Sequence, residues 1–292
     1  MKVGVKDHKL PFKTHKLYDV VVDDDEIETL VTHDPATVSG WIDNTEILHQ
    51  CRLHRLIVGL DVEWRPQFSG SNCCAHHVAT LQLCVAESCL IFQILHASKI
   101  PRRLKKFLAD PDYTFVGVGV KHDARRLWND WGLEVSNMRD LRSWAAKELD
   151  DKELRGAGLK DLAREVLGED MNKPLDVTLS RWDNRLLSRC QVAYACLDAY
   201  ISFEIGRRLS ACETCFQDKP LSFNEVRTNS TSRNGAPIEP QVESAVDFRS
   251  SKLSNESSRG FASSKRQVRR TRRHVRIEQT LVARMEQTAM LS

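Results

Sequence analysis

One short apolar stretch, residues 56–65 with the sequence LIVGLDVEWR, constrains the fold more than any other part of the chain. An apolar, β-branched run of this length is typical of a buried strand. Side chains alternate faces along a strand, so Asp61 and Glu63 should point the same way. Two neighbouring carboxylates repel each other unless a cation lies between them, and Mg²⁺ or Mn²⁺ prefer such oxygen ligands. The alternative is a strand end at which two acids are simply hydrated.

The first two thirds of the chain alternate between strands and helices. Besides the stretch above, β-branched or apolar runs predict strands at residues 18–22, 27–32, 78–85, 89–94 and 113–120. Helical patterns and start signals predict helices at residues 34–51, 101–108, 123–131, 159–167 and 186–209. The acidic run Asp23, Asp24 and Asp25 suits a hairpin turn better than a metal site. This alternation predicts an α/β domain built on a mixed sheet.

The composition divides the chain into three parts. Residues 1–17 read as a polar lead-in, and residues 18–211 as the folded domain. All six Trp and all four Tyr lie before residue 201, and the 41% hydrophobic content supports a core. Residues 212–292 are rich in Ser, Asn, Thr and Arg, which predicts a disordered tail because such a segment buries little apolar surface.

The charge pattern that bears most on binding partners lies in the tail. The net charge of the whole chain is only +3, but seven of the twelve residues at 265–276 are Lys or Arg. Such a run binds nucleic acid, directs nuclear localisation or is a solvated charged strip. We therefore expect the protein in the nucleus, the cytoplasm or both, and the basic N-terminus leaves organelle targeting open.

Membrane and secretory classes are disfavoured by the same sequence. No apolar run of about 18 residues is present, so we expect no membrane span, and the N-terminus lacks the apolar core of a secretory signal. The nine cysteines then read as reduced thiols. Cys212 and Cys215 form a C-x-x-C pair with no second pair of ligands, which disfavours a zinc site there.

Further acids stand where the site at residues 56–65 could use them. Asp123 follows the predicted strand at 113–120, at a strand-to-helix junction; alternatively it is the N-cap of the next helix. Tyr194 and Asp198 are spaced i and i+4 and so share one face of an apolar helix. The alternative for Tyr194 is core packing with its hydroxyl bonded to the backbone. Three separate elements thus bring acids next to apolar backbone.

Three stretches together carry a resemblance to a known family. They are LIVGLDVEW at 56–64, GVGVKHDARRL at 117–127 and RWDNRLLSRCQVAYACLDAY at 181–200. In this order they resemble the three exonuclease motifs of the DEDDy class, and most of all those of the Werner-syndrome-type 3'-5' exonuclease domain in its plant-like, stand-alone form. The resemblance covers about residues 18–210. It implies a ribonuclease H-like fold, a mixed β-sheet flanked by helices.

By this resemblance the catalytic residues are Asp61, Glu63, Asp123, Tyr194 and Asp198. The four acids would hold two divalent ions, Mg²⁺ or Mn²⁺, which activate a water and stabilise the leaving 3' oxygen. Tyr194 would orient the attacking water. The expected partner is DNA or RNA with a free 3' end, and the expected products are nucleoside 5'-monophosphates. A ribonuclease D-like RNA-processing exonuclease and a non-catalytic nucleic-acid-binding protein are the alternatives.

Residues beside these motifs are candidates for substrate contacts. Lys121, Arg125 and Arg126 flank the second motif and suit backbone phosphates, although a solvated basic helix face fits equally well. Trp64 could pack beside the terminal base or belong to the core. His122 is disfavoured as a metal ligand because the carboxylates already fill that role.

Overall fold

The computed structural model describes residues 1–8, 14–66, 76–171 and 175–217 of the 292-residue chain. Eight strands lie in this part: β1 (Val3–His8), β2 (His15–Val22), β3 (Asp25–Thr32), β4 (Ile57–Trp64), β5 (Val78–Val85), β6 (Ser88–Phe92), β7 (Thr114–Gly117) and β8 (Met138–Asp140). They form one sheet in the order β1-β2-β3-β6-β5-β4-β7-β8.

The helices of the described residues lie between and after these strands. They are α1 (Pro35–Leu48), α2 (Arg102–Leu108), α3 (Val120–Trp131), α4 (Leu141–Glu148), α5 (Leu159–Leu162), α6 (Leu175–Thr178) and α7 (Arg189–Gln217). A π-helical segment, Ala163–Leu167, continues α5. Short 3-10 segments cover Gln50–Arg55, Ile94–His96 and Lys152–Gly156.

Both strand directions occur in the sheet. β1 pairs antiparallel with β2, β2 with β3, β4 with β5, and β5 with β6. The pairs β3–β6, β4–β7 and β7–β8 are parallel. The expectation of a ribonuclease H-like mixed sheet flanked by helices is therefore confirmed.

Helices cover the middle of the sheet on both faces. All eight residues of β5 are buried, which requires packing on each side of that strand. On one face, Phe107 of α2 stacks edge-on against Trp41 of α1 and Phe115 of β7, with ring centroids 6.5 and 5.9 Å apart. On the other face α7 lies across the sheet, and its close approach to β4 determines where the third motif meets the first.

Gly59 is the point where α7 comes closest to β4. A Cβ atom on Gly59 would lie 2.0 Å from the carbonyl oxygen of Ala199 and 2.8 Å from the backbone nitrogen of Phe203. Real Cβ atoms do not approach other atoms so closely, so a residue without a side chain is required here. The contact seats the helix against the strand two residues before Asp61 and one residue after Asp198.

Several local predictions hold in the structure. The acidic run makes the turn between β2 and β3, with Asp23 in a left-handed conformation at φ 51°. Asp34 caps α1, because its carboxylate accepts a 2.7 Å hydrogen bond from the backbone N–H of Thr37. In the described part of the chain, no helix is long and apolar enough to cross a membrane.

Other boundaries were wrong. The predicted lead-in of residues 1–17 contains β1 and the start of β2, so the sheet begins at Val3. β1 is an edge strand with mostly exposed or half-buried side chains, and it therefore lacks the apolar alternation that marks a strand. The predicted strand at 113–120 ends at Gly117, and α7 runs from Arg189 instead of 186 and continues to Gln217.

The predicted tail falls almost wholly outside the described residues. This holds for its basic run at 265–276 and for everything after residue 217. The backbone of residues 212–217 belongs to α7, but the side chains of Cys212 and Cys215 lie outside the described part. The interpretation of the tail stays a prediction from sequence.

Candidate active site

Three carboxylates from two distant parts of the chain meet at the end of β4. One oxygen each from Asp61, Glu63 and Asp198 forms a group in which all three atoms lie within 4.8 Å of one another. Asp61 and Glu63 are half-buried, whereas Asp198 is buried. The structure thus brings together three of the four predicted metal ligands.

Strand alternation and the Gly59 contact explain this meeting. Gly59, Asp61 and Glu63 are two residues apart along β4 and so face the same side of the sheet. Since Gly59 faces the backbone of α7 at Ala199, the two acids face α7 as well. Asp198 precedes Ala199 on that helix, which places its carboxylate beside theirs.

The neighbouring strand contributes two buried polar side chains that the three motifs did not indicate. Gln82 of β5 lies opposite Asp61 in the antiparallel register, and Thr80 lies opposite Glu63. Directly opposite residues share a face, so both lie on the side of the acids, and both are fully buried. The side-chain amide of Gln82 donates a 2.7 Å hydrogen bond to the hydroxyl of Thr80. The available signal was their period-two spacing within the otherwise apolar run VATLQLCV.

Asp123 lies in the first turn of α3 and is buried, and it does not belong to the three-carboxylate group. The N-cap of α3 is Gly119, in a left-handed conformation, so the interpretation of Asp123 as an N-cap is wrong. Burial and the nearby Asp140 carboxylate together raise the pKa of Asp123 to about 7, while Arg126 and Arg142 act in the opposite direction. A carboxyl group with this pKa changes its protonation state near neutral pH.

Asp140 holds the loop in front of α3. Its carboxylate accepts hydrogen bonds from the backbone N–H of Gly119 at 3.1 Å and from the guanidinium of Arg142 at 2.7 and 3.0 Å. Burial opposes ionisation of Asp140, but these bonds outweigh it and leave its pKa below the ordinary value. The negative charge of the ionised Asp140 therefore disfavours ionisation of the nearby Asp123 in the second motif.

Tyr194 lies one helical turn before Asp198 on α7. Its hydroxyl accepts a 3.1 Å hydrogen bond from the hydroxyl of Thr178, the last residue of α6. The ring of the fully buried Trp182 lies 6.0 Å from the Tyr194 ring, and the indole N–H of Trp182 donates to the carbonyl of Thr178 at 3.3 Å. The loop after α6 thereby fixes the Tyr194 side chain.

The candidates for substrate contacts occupy different environments. The guanidinium of Arg126 lies over the ring of the half-buried Trp64, 4.1 Å from its centroid, and pairs with Asp130 at 3.8 Å. It also donates a hydrogen bond to the backbone carbonyl of His76, so Arg126 already has three intramolecular partners. Lys121 and Arg125 are exposed on α3. The predicted contacts of Trp64, Lys121, Arg125 and Arg126 with nucleic acid stay predictions.

The family of the chain follows from a protein-family comparison. The family model described as 3'-5' exonuclease matches residues 38–211, which include the three motifs and the carboxylate group. This chain belongs to the 3'-5' exonuclease family. The resemblance found in the three motifs is thereby confirmed.

Individual relatives agree with this assignment. The chain is 34% identical over 154 residues to "3'-5' exonuclease" of Arabidopsis thaliana, which is 52% of this chain and 52% of that protein. It is 32% identical over 154 residues to "Bifunctional 3'-5' exonuclease/ATP-dependent helicase WRN" of Mus musculus, which is 52% of this chain and 11% of that protein. The chain thus spans about half the length of the first relative and a small part of the second.

A solved structure of a related domain is also similar. The EXD2 exonuclease domain, from crystals soaked in Mn and Mg, is 29% identical, with 66% of this chain and 98% of that chain covered and a TM-score of 0.34.

Proposed function

We propose that this chain is a metal-dependent 3'-5' exonuclease that hydrolyses phosphodiester bonds from the 3' end of nucleic acid and releases nucleoside 5'-monophosphates. The observation that carries the proposal is the group formed by Asp61, Glu63 and Asp198, whose carboxylate oxygens lie within 4.8 Å of one another. Membership of the 3'-5' exonuclease family over residues 38–211 supports the reaction class.

The donor set fits hard divalent cations. All three groups are carboxylates, and the site contains no thiolate or imidazole donor within the group. Oxygen-only sites favour Mg²⁺ or Mn²⁺ over softer metals, which prefer sulfur and nitrogen. Asp61, Glu63 and Asp198 would hold the ions, with Asp123 as the fourth carboxylate. When bound, two such ions supply charge neutralisation at the scissile phosphate and lower the pKa of an attacking water.

The side chains of the chain itself then have separate tasks. The hydroxyl of Tyr194 orients the attacking water, and its own direction is set by the hydrogen bond from Thr178. Gln82 and Thr80 lie directly across the β4–β5 pair from Asp61 and Glu63 on the same face, so their buried, hydrogen-bonded side chains occupy the space beside these two acids. Such support keeps a site within the narrow geometry that hydrolysis requires.

One experiment distinguishes DNA from RNA as the substrate and separates the proposed function from its alternatives. Purified protein is incubated with 5'-labelled DNA and RNA of matched sequence, as single strands and as duplexes with 3' or 5' overhangs, with Mg²⁺, Mn²⁺ or a chelator. We expect progressive shortening from the 3' end and 5'-monophosphate products with either metal. Activity confined to RNA would favour the ribonuclease D-like alternative.

The controls decide whether the carboxylate group is responsible. Asp61→Asn and Asp198→Asn should each remove activity while circular dichroism stays unchanged. Cleavage that survives the chelator, or wild-type rates in either variant, would contradict the proposal. Binding of the oligonucleotides without any cleavage by the wild-type protein would support the non-catalytic alternative.

A further inference from the structure

A second site lies at the same end of the sheet as the carboxylate group, two or more strands away from it, and is not used by the chemistry above. It is a small pocket, here called the edge pocket, lined by His15, Lys16, His33, Gln93, Arg185 and Leu187 among others. It is formed by the start of β2, the residues that follow β3 and β6, and the loop that precedes α7.

The edge pocket and the carboxylate group lie at the same end of the strands. β3 and β6 are parallel to each other, and β6 runs in the direction of β4 because both are antiparallel to β5. The ends of β3, β6 and β4 therefore meet at one end of the sheet, and the antiparallel β2 starts there. The pocket residue that follows β6 and those on β2 are two and four strands away from β4, or about 10 and 19 Å at the usual strand spacing.

Two cations of the pocket are free to bind a ligand. Lys16 and Arg185 are exposed, and neither side chain forms an ion pair or hydrogen bond within the described ranges of the chain. Most arginines of the same ranges differ in this respect, for example Arg103, Arg142 and Arg207, which pair with carboxylates. An unpaired guanidinium and an unpaired ammonium that line the same pocket suit an anion, and above all a phosphate.

The loop that carries Arg185 is held rigidly. The buried amide of Gln93 donates to the carbonyl oxygens of Asn184 and Arg185 at 3.1 and 3.0 Å. The ring Nε2 of His96 lies 3.0 Å from the carbonyl oxygen of Asp183. A loop fixed at three successive carbonyls presents its next side chains with little loss of entropy on binding.

Neighbouring acids are engaged elsewhere. The carboxylate of Asp34 is near His15, but it caps α1 through hydrogen bonds from the backbone and hydroxyl of Thr37. Asp7, near Tyr18, lies 4.0 Å from the guanidinium of Arg189. Burial lowers the pKa of His15, so that ring adds no charge at neutral pH, and Lys16 and Arg185 dominate the field of the pocket.

The volume of the pocket limits the size of the group that it can hold. Its cavity volume is about 60 Å³. At about 10–15 Å³ for each water-sized atom, this volume holds four to six such atoms, which is the size of one phosphate group and too small for a whole nucleotide. The exposed side chain of Leu186 lies at the rim, where it can cover a sugar or base.

We propose that the edge pocket binds one backbone phosphate of the substrate strand on the 5' side of the scissile bond. At about 3.4 Å for each stacked nucleotide, the span of 10–19 Å corresponds to about three to six nucleotides. The inference rests on the proposed exonuclease function, because that function places the 3' end at Asp61 and Asp198. If the pocket binds this phosphate, strands long enough to reach it should bind more tightly than shorter strands.

The test compares substrates that reach the pocket with one that does not. The double variant Lys16→Ala with Arg185→Ala is matched with Lys105→Ala and Lys106→Ala, two exposed lysines of α2. Binding of 5'-fluorescein-labelled single strands of 2 to 12 nucleotides is measured by anisotropy in chelator, and hydrolysis of the same strands is measured with Mn²⁺. Full-length protein is used throughout.

The expected loss depends on length. For the 12-mer, the pocket variant should bind about tenfold more weakly, and its log-log salt slope should fall by about 0.7 for the single phosphate contact. The ratio of kcat/KM for the 12-mer to that for the dinucleotide should fall by a similar factor, with the step between three and six nucleotides. The lysine control should match the wild type at every length.

The outcomes separate this inference from the proposed function. If wild-type protein hydrolyses the strands but the pocket variant binds and cleaves every length like the control, the edge pocket is not a phosphate site. An equal loss at all lengths would also overturn it, because the effect would then be general electrostatics. If the wild type cleaves nothing, the proposed function fails, while a length-dependent binding loss still identifies the pocket.

Discussion

The hydroxyl of Thr178 donates a 3.1 Å hydrogen bond to the hydroxyl of Tyr194. The two residues belong to α6 and α7, and the buried indole of Trp182 packs on the tyrosine ring while bonding the carbonyl of Thr178. The tyrosine that the proposed mechanism uses to orient water is thus itself oriented by a neighbouring side chain. This arrangement predicts that a residue without contact to substrate affects the rate.

Thr178→Val should lower kcat about 2- to 10-fold with little change in KM, since it removes one hydrogen bond worth about 0.5–1.5 kcal/mol. Tyr194→Phe should lower kcat on the order of 10²-fold, because the water loses its positioning group. Steady-state kinetics on a short oligonucleotide measures both effects.

The double variant shows whether the two hydroxyls act together. Adding Thr178→Val to Tyr194→Phe should cause no further loss of kcat. Thr45→Val is the matched control, because the buried hydroxyl of Thr45 donates to the carbonyl of Trp41 on α1. Independent, multiplicative effects of the two substitutions would show that Thr178 does not act through Tyr194.

Gly59→Ala should destabilise the domain by about 3 kcal/mol or more. The new Cβ would meet the backbone of Ala199 and Phe203, which cannot yield as a flexible side chain can. The helix must then move away from β4 and take Asp198 with it. We expect a lower midpoint in urea unfolding and reduced activity in the folded protein.

Gly156→Ala is the control for this substitution. Among the described residues, a Cβ on Gly156 has no atom within 4 Å apart from its chain neighbours, so the unfolding midpoint of this variant should stay close to that of the wild type. Wild-type stability of Gly59→Ala would mean that α7 does not lie on β4 as described.

The sequence predicted the central elements and the grouping of the acids well. Strand β5 matches its predicted range of 78–85, because a buried apolar run between turn residues leaves little choice. Strand alternation placed Asp61 and Glu63 on one face, and the resemblance to the exonuclease motifs grouped Asp198 with them.

Features that depend on pairing between distant elements could not be predicted in this way. Gln82 lies opposite Asp61 only because of the register of β4 and β5, which periodicity does not determine. The edge pocket depends on the order of β2, β3 and β6 in the sheet. β1 was missed because an exposed edge strand has no apolar face to reveal it.

Asp123→Asn should stabilise the metal-free protein at neutral pH. Burial and Asp140 raise the pKa of Asp123 from 3.8 to about 7 in the folded state. The folded protein therefore retains a proton that the unfolded chain releases near pH 4. The contribution of this carboxyl to stability is fully present below about pH 4 and is lost as the pH rises to about 7.

The measurement is urea unfolding in chelator at several pH values from 4 to 8. The free energy of unfolding of Asp123→Asn minus that of the wild type should increase with pH over this range and level off above about pH 7. Asp112→Asn, which changes an exposed aspartate, is the matched substitution. A difference that is independent of pH would show that Asp123 is ionised throughout.

Divalent metal should stabilise the wild-type protein and fail to stabilise Asp198→Asn. At 100 times its Kd, a bound ion adds about 2.7 kcal/mol to the free energy of unfolding, or about 5–10 °C in Tm for a domain of this size. Removal of one of three carboxylates within 4.8 Å should abolish most of this shift.

Ca²⁺ should also raise the Tm of the wild type but not support hydrolysis, because its longer and looser coordination misplaces the attacking water. Thermal unfolding with Mg²⁺, Mn²⁺, Ca²⁺ and chelator tests the prediction beside the nuclease assay; equal shifts in both proteins would place the metal elsewhere.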